Sequence, residues 1–151
     1  MSRPVILRID SLQQTPDGEP ERTRLTTAGT LETDGEAVVL TYEESALTGL
    51  EGTVTSFRVE PTRAVLERRG TLESRMVFQP GVEDCSLYDM GFGALMIRVR
   101  GVELRSDLSP DGGTLEIRYE VVIEEEEAGS VAYRIEVHPA EPEEKTEEDP
   151  R

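Results

Sequence analysis

Apolar and polar residues alternate with a period of two, segment after segment, along most of the chain. Val5, Leu7 and Ile9 alternate with Ile6, Arg8 and Asp10; Val38, Leu40 and Tyr42 with Val39, Thr41 and Glu43; Leu95, Ile97 and Val99 with Met96, Arg98 and Arg100. Successive side chains of a strand point to opposite faces, so each segment predicts a strand with one face turned to a core. The longest run sets Leu115, Ile117, Tyr119, Val121 and Ile123 against Glu116, Arg118, Glu120, Val122 and Glu124. The next sets Val131, Tyr133, Ile135 and Val137 against Ala132, Arg134 and Glu136. Together they predict a hairpin. Both apolar sets are odd-numbered, so paired residues must have numbers that sum to an even value, which a two-residue turn at Ala128-Gly129 cannot provide. A three-residue loop with Gly129 or a neighbour at positive φ is expected instead.

Turn signals separate the segments: Pro16-Asp17-Gly18, Asp34-Gly35, Glu60-Pro61-Thr62, Arg69-Gly70, Gln79-Pro80-Gly81 and Pro110-Asp111-Gly112-Gly113. They divide the chain into about eight to ten strands. A helical period is nowhere sustained, and a single turn between Glu44 and Leu50 is the most helix expected. Short hairpin connections suit an up-and-down barrel, whereas a sandwich uses longer Greek-key crossings. The expected fold class is therefore all-β, a single closed antiparallel barrel over residues 1–138. Its interior would be filled by side chains or hold one small ligand. From Pro139 onward six acids and two bases stand among Pro, Thr and Ala, a composition that cannot bury a core, so residues 139–151 are expected to form a disordered acidic tail.

With 151 residues there is room for one domain, and with no Trp and only 3 Phe the interior must rest on Val, Leu and Ile. Asp and Glu number 32 against 16 Lys and Arg, a net charge of -16 whose field repels phosphate backbones and anionic headgroups. Neither nucleic acid nor a membrane surface is expected as a partner. Cys85 stands alone, which agrees with a reducing compartment, and no apolar run reaches the length of a membrane span; a cytoplasmic protein is expected. The alternation pattern sets no oligomeric state.

Candidate chemistry is sparse. Nucleophilic catalysis needs a positioned base, and the sole histidine, His138, closes the last strand beside the tail. Glu43 and Glu44 fall on opposite faces of one strand, with Glu44 on the inward parity of Tyr42, and Glu124 to Glu127 read as a solvated hairpin end. Asp107, Ser109, Asp111 and Gly112 imitate the opening of a calcium loop, but Arg118 holds the position that needs a bidentate Glu, and a polar turn explains the same residues. Gly49-x-x-Gly52 and Gly91-x-Gly93 lack the strand-to-helix setting of a phosphate cradle. No enzyme, cofactor or metal is expected. Arg58, Arg69 and Arg75 are either exposed partners of cross-strand acids or, if one of them turns inward, anchors for a carboxylate or phosphate.

The block Tyr42-Glu43-Glu44-Ser45-Ala46-Leu47-Thr48-Gly49-Leu50-Glu51-Gly52-Thr53-Val54-Thr55 resembles the YwiB-like family, small bacterial domains of unknown function. Arg69-Gly70, Ser74 to Phe78, Gly81, Tyr88, Gly93, Gly112-Gly113, Leu115 and Tyr119 follow the family's order, and the resemblance spans about residues 3–137. Met90 and Gly91 stand where relatives often carry Thr and Pro. The resemblance implies a calycin-like, lipocalin-like β-barrel and no established reaction.

Two functions fit. The first is a binding module for a small amphipathic or anionic ligand at the barrel mouth, lined by Tyr42, Glu44, Thr48, Arg69, Met76, Phe78 and Tyr88. The second is an acidic scaffold that engages a basic protein partner through its surface and tail.

Overall fold

The computed structural model describes residues 2–45, 50–89 and 93–140, with the side chains of 88 and 89 left aside. Ten antiparallel strands make one sheet: β1 (Ser2–Gln14), β2 (Glu21–Asp34), β3 (Ala37–Glu43), β4 (Thr53–Val59), β5 (Ala64–Gly70), β6 (Ser74–Phe78), β7 (Asp84–Asp89), β8 (Ala94–Ser106), β9 (Gly113–Ile123) and β10 (Glu126–Pro139). Their order is β6-β5-β4-β3-β2-β1-β10-β9-β8-β7. Every strand therefore pairs with its sequence neighbours save β6 with β7, and the first strand pairs with the last. The sheet curls into a nearly closed barrel whose seam lies between β6 and β7. Asp84 partly stitches this seam, its Oδ2 accepting a hydrogen bond from the Val77 amide at 3.0 Å. Gln79 and Val82 add an isolated bridge.

The alternation read from the sequence is the inward face. Val5, Leu7 and Ile9 of β1 meet Ile135 and Val137 of β10, with Leu7 opposite Val137 and Ile9 opposite Ile135. Further round, Leu40 pairs with Phe57, Phe57 with Leu66 and Leu66 with Met76, so one layer of large side chains crosses four strands. Phe57, Phe78, Leu66 and Leu115 are fully buried, each stabilising the fold by ~1.5–3 kcal/mol.

Two irregularities re-aim the inward face. In β8 the register against β9 shifts between Arg100 and Glu103, where Gly101 has φ +64°, and the buried positions pass from Ile97 and Val99 to Val102. In the β9–β10 hairpin the structure corrects the expected three-residue loop. The turn has two residues, Glu124 and Glu125 at φ 51° and 72°, and Ile123 pairs with Glu126. The extra residue sits inside β10 as a bulge between Glu127 and Gly129, after which Tyr119 pairs with Val131 and Ile117 with Tyr133. The even-sum rule therefore holds along most of the hairpin, because a bulge supplies the parity change as well as a loop would. Gly129 is required there: its φ is +121°, and a Cβ would collide with the Gln14 carbonyl oxygen.

Candidate functional site: one end of the barrel

The end where β1, β3, β5 and β9 finish is where polar side chains enter the interior. On β3 the inward positions Leu40 and Tyr42 continue to Glu44, and on β4 they are Thr53, Thr55 and Phe57. Glu44, only 7% exposed, accepts a hydrogen bond from Thr55 Oγ1 through its Oε2 at 2.5 Å. Thr53 accepts through Oγ1 from the Leu72 amide at 3.3 Å, tying the β5–β6 connection to β4. The Tyr42 hydroxyl bonds Glu44 as well. Burial first, and then the negative charge of Glu44, holds this phenol far above the ordinary tyrosine range.

The inward positions of β5 are Ala64, Leu66 and Arg68. Arg68 is 8% exposed and donates from Nη2 to the Tyr133 hydroxyl at 3.3 Å. Tyr133 packs edge-on against Phe57 with centroids 6.0 Å apart, and Tyr119 lies 4.6 Å from Phe78. The two tyrosines thus join the core to this end of the barrel. A cavity of about 360 Å³ opens here. Leu72, Met76, Ile97, Val121 and Ile123 give its apolar wall, the rims of β1 and β10 contribute Gln13, Thr15 and Ser130, and Arg68 is the one charged residue among its described lining.

The expected site residues separate as follows. Tyr42 and Glu44 lie inside, bonded to one another, and Met76 lines the cavity. Phe78 is inward but belongs to the packed core beneath Tyr119. Arg69 is corrected to the outside: its side chain is 78% exposed and pairs with Glu67 at 3.4 Å, because the inward parity of β5 is even. Arg58 pairs with Asp34 and Glu60, and Arg75 with Glu67, so these two are surface partners of acids. Thr48 and the side chain of Tyr88 lie outside what the structure describes, as do most of the expected single helical turn, Gly49 and Gly91, and the tail from residue 141.

Arg68, Thr55 and Tyr133 are the site residues that sequence reading missed. The parity of Leu66 marks Arg68, but Val65 beside it is also buried and blurs the alternation.

The remaining motifs are accounted for by structure. Asp107 Oδ1 accepts from the Thr114 amide at 2.7 Å, and Ser109 and Gly112 exchange backbone bonds, which makes a polar hairpin turn of the calcium-like stretch. His138 is half-exposed beside Glu136, across from Ile6 and at the far end of β10 from the cavity.

Comparison with known proteins agrees with this barrel. The crystal structure of the ywiB protein from Bacillus subtilis matches with a TM-score of 0.75 at 23% sequence identity, covering 89% of this chain and 92% of that one. No curated protein matches the chain. The model of a family described as "Domain of unknown function (DUF1934)" matches residues 7–135, nearly the whole barrel, so the chain belongs to that family of YwiB-like domains.

Proposed function

We propose that the domain is a non-catalytic binding module that takes a small amphipathic anion into the end of the barrel where β1, β3, β5 and β9 finish. One observation carries this reading: in a protein of net charge -16, the only charged residue among the described lining of this apolar cavity is a buried arginine, Arg68. Arg68 already donates to the Tyr133 hydroxyl, and a guanidinium carries five N–H donors in a fork, so it can serve a ligand's anionic group beside the partners it has. The volume falls within the range of small-molecule sites. The positions of His138 and of the exposed Cys85, both away from the cavity lining, support binding rather than chemistry. The acidic-scaffold reading has the acid surplus behind it, yet Arg98, Arg100, Arg105 and Arg134 already answer several of those acids across β8, β9 and β10.

Thermal shift with a panel of small anionic, neutral and cationic amphiphiles tests the proposal. A ligand held at a hundred times its Kd stabilises by about 2.7 kcal/mol, a rise in Tm of roughly 5–10 °C for a domain of this size. A flat Tm across the whole panel contradicts the reading.

A further inference from the structure

In a chain of net charge -16, the outer face of the five adjacent strands β2-β1-β10-β9-β8 gathers positive charge. The ladders set Arg24, Asp10, Arg134, Glu116 and Arg105 side by side in one row across these strands. The next row runs Arg22, Leu12, Ala132, Arg118 and Glu103. Five arginines therefore face three acids over the two rows, a surplus of two positive charges. The acids are shared, Asp10 between Arg22 and Arg24, and Glu116 between Arg105 and Arg134. Arg118 is exposed and has no ion pair among the described residues. Leu12 and Ala132 floor a groove whose lining includes Arg22, Arg118 and Arg134. With strands ~4.8 Å apart, Arg24, Arg134 and Arg105 recur about every 10 Å, a spread that suits an extended polyanion better than a small one.

We infer that this face is covered by the chain's own acidic segment, residues 141–151, folded back over β10. Charge and reach both identify that occupant. The segment holds Glu141, Glu143, Glu144, Glu147, Glu148 and Asp149 beside Lys145 and Arg151, six acids against two bases and a net charge of -4. It leaves from the middle of the face, because β10 is the central strand of the five and its pairing runs on to Ala140, whose amide donates to the Pro4 carbonyl. Arg134 and Ala132 stand five and seven residues before Pro139, ~17 and ~23 Å back along the strand. Pro142 suits a reversal, and Glu147 and Asp149 follow it by the same five and seven residues. Folding back at Pro142 thus carries Glu147 and Glu148 over the row of Arg134, and Asp149 over the row of Arg118. Each surface pair is weak, but the tether holds the acids at an effective concentration on the order of millimolar, so they act together. The contact is one of charge and needs no apolar surface, which this segment lacks. In place, it shields these arginines from other polyanions.

The test compares arginine side-chain Nε–Hε resonances of the isotope-labelled 151-residue protein with those of its Glu147→Gln/Glu148→Gln/Asp149→Asn variant. Spectra are taken at ~0.01 M and ~1 M salt, between which the screening length falls from ~30 to ~3 Å. At low salt Arg118 and Arg134 are expected to resonate at different shifts in the two proteins, and at high salt to coincide, with Arg58 on β4 and Arg75 on β6 unmoved throughout. Coincident Arg118 and Arg134 resonances at low salt overturn the inference. Equal shifts at Arg58 and Arg75 overturn it too, since they report only the change in overall field. A difference that fades on dilution overturns it in favour of a second copy's acidic segment as the occupant. In the converse variant, Arg118→Gln, an exposed side chain with no ion pair to lose is changed, and the amides of residues 147–149 are expected to shift at low salt. Unmoved amides there contradict the inference.

Discussion

Replacing Thr55 by Val tests the polar network that shapes the cavity end. The two side chains have nearly the same shape, so the change removes one donor and little else. Thr55 is fully buried and its hydroxyl bonds Glu44 at 2.5 Å, with the carboxylate itself shielded from water. A hydrogen bond to a charged group contributes about 1.5–3 kcal/mol, and Val at position 55 leaves the acceptor short of one partner without giving it solvent in exchange. With an m-value of about 2 kcal/mol/M in urea, the midpoint of unfolding should fall by roughly 0.8–1.5 M. The same substitution in a Glu44→Gln background should cost only about 1 kcal/mol, because the acceptor is then a neutral amide and charge assistance roughly doubles the strength of such a bond. The signature is thus a positive coupling of about 1 kcal/mol in a double-mutant cycle read by urea unfolding. If Thr55→Val lowers stability by less than 0.5 kcal/mol, or by the same amount in both backgrounds, the inward carboxylate and its partner have been misread.

Other outcomes follow from named contacts. Glu125→Gly should stabilise the protein by about 1 kcal/mol, since Glu125 holds φ 72° where a side chain is penalised and its pairing with Arg98 is at the surface; unchanged thermal unfolding would refute the two-residue turn. Asp84→Ala should cost about 1–2 kcal/mol by leaving the Val77 amide unpaired at the seam, and Asp84→Asn should restore most of it. The phenol of Tyr42 is raised in the folded state by burial and by Glu44, while in the unfolded chain it loses its proton near pH 10. Its contribution is therefore fully present below that pH and is lost as pH rises above it, so Tyr42→Phe should flatten the alkaline limb of a stability–pH curve; an unchanged limb would show that Tyr42 is not the buried titrating group.

How much of this was legible in the sequence depends on what each residue must satisfy. Alternation exposed the inward face wherever apolar and polar residues strictly took turns, as in Leu115 to Ile123, because burial there depends on hydrophobicity alone. It misled where polar groups turn inward. On β4 Thr53 and Thr55 are buried while Val54 faces solvent, an inversion that makes sense only once Glu44 and the Leu72 amide arrive as partners from other strands. The same applies to Arg68 and Arg69, adjacent in sequence and opposite in environment: the choice between them is set by the β4–β5 register, which places Leu66 against Phe57. The seam was invisible for a related reason. The turn at Gln79-Pro80-Gly81 looks like any other hairpin turn, but β6 and β7 have only five and six residues and meet through a side chain rather than a ladder. Bulges hide in the same way, since an extra residue in β10 and an extra residue in the loop give the same parity.

A ligand taken into the barrel must perturb the interior end around Arg68 and leave the outer surface unchanged. Amide chemical shifts of the isotope-labelled protein, followed while an anionic amphiphile such as decanoate is added, locate the ligand. The shifts are expected to concentrate on Arg68, Met76, Ile97, Tyr119 and Tyr133, with Glu103, Arg105 and Arg118 on the outer faces of β8 and β9 unmoved. Shifts confined to those outer arginines, or spread evenly over the barrel, would contradict it.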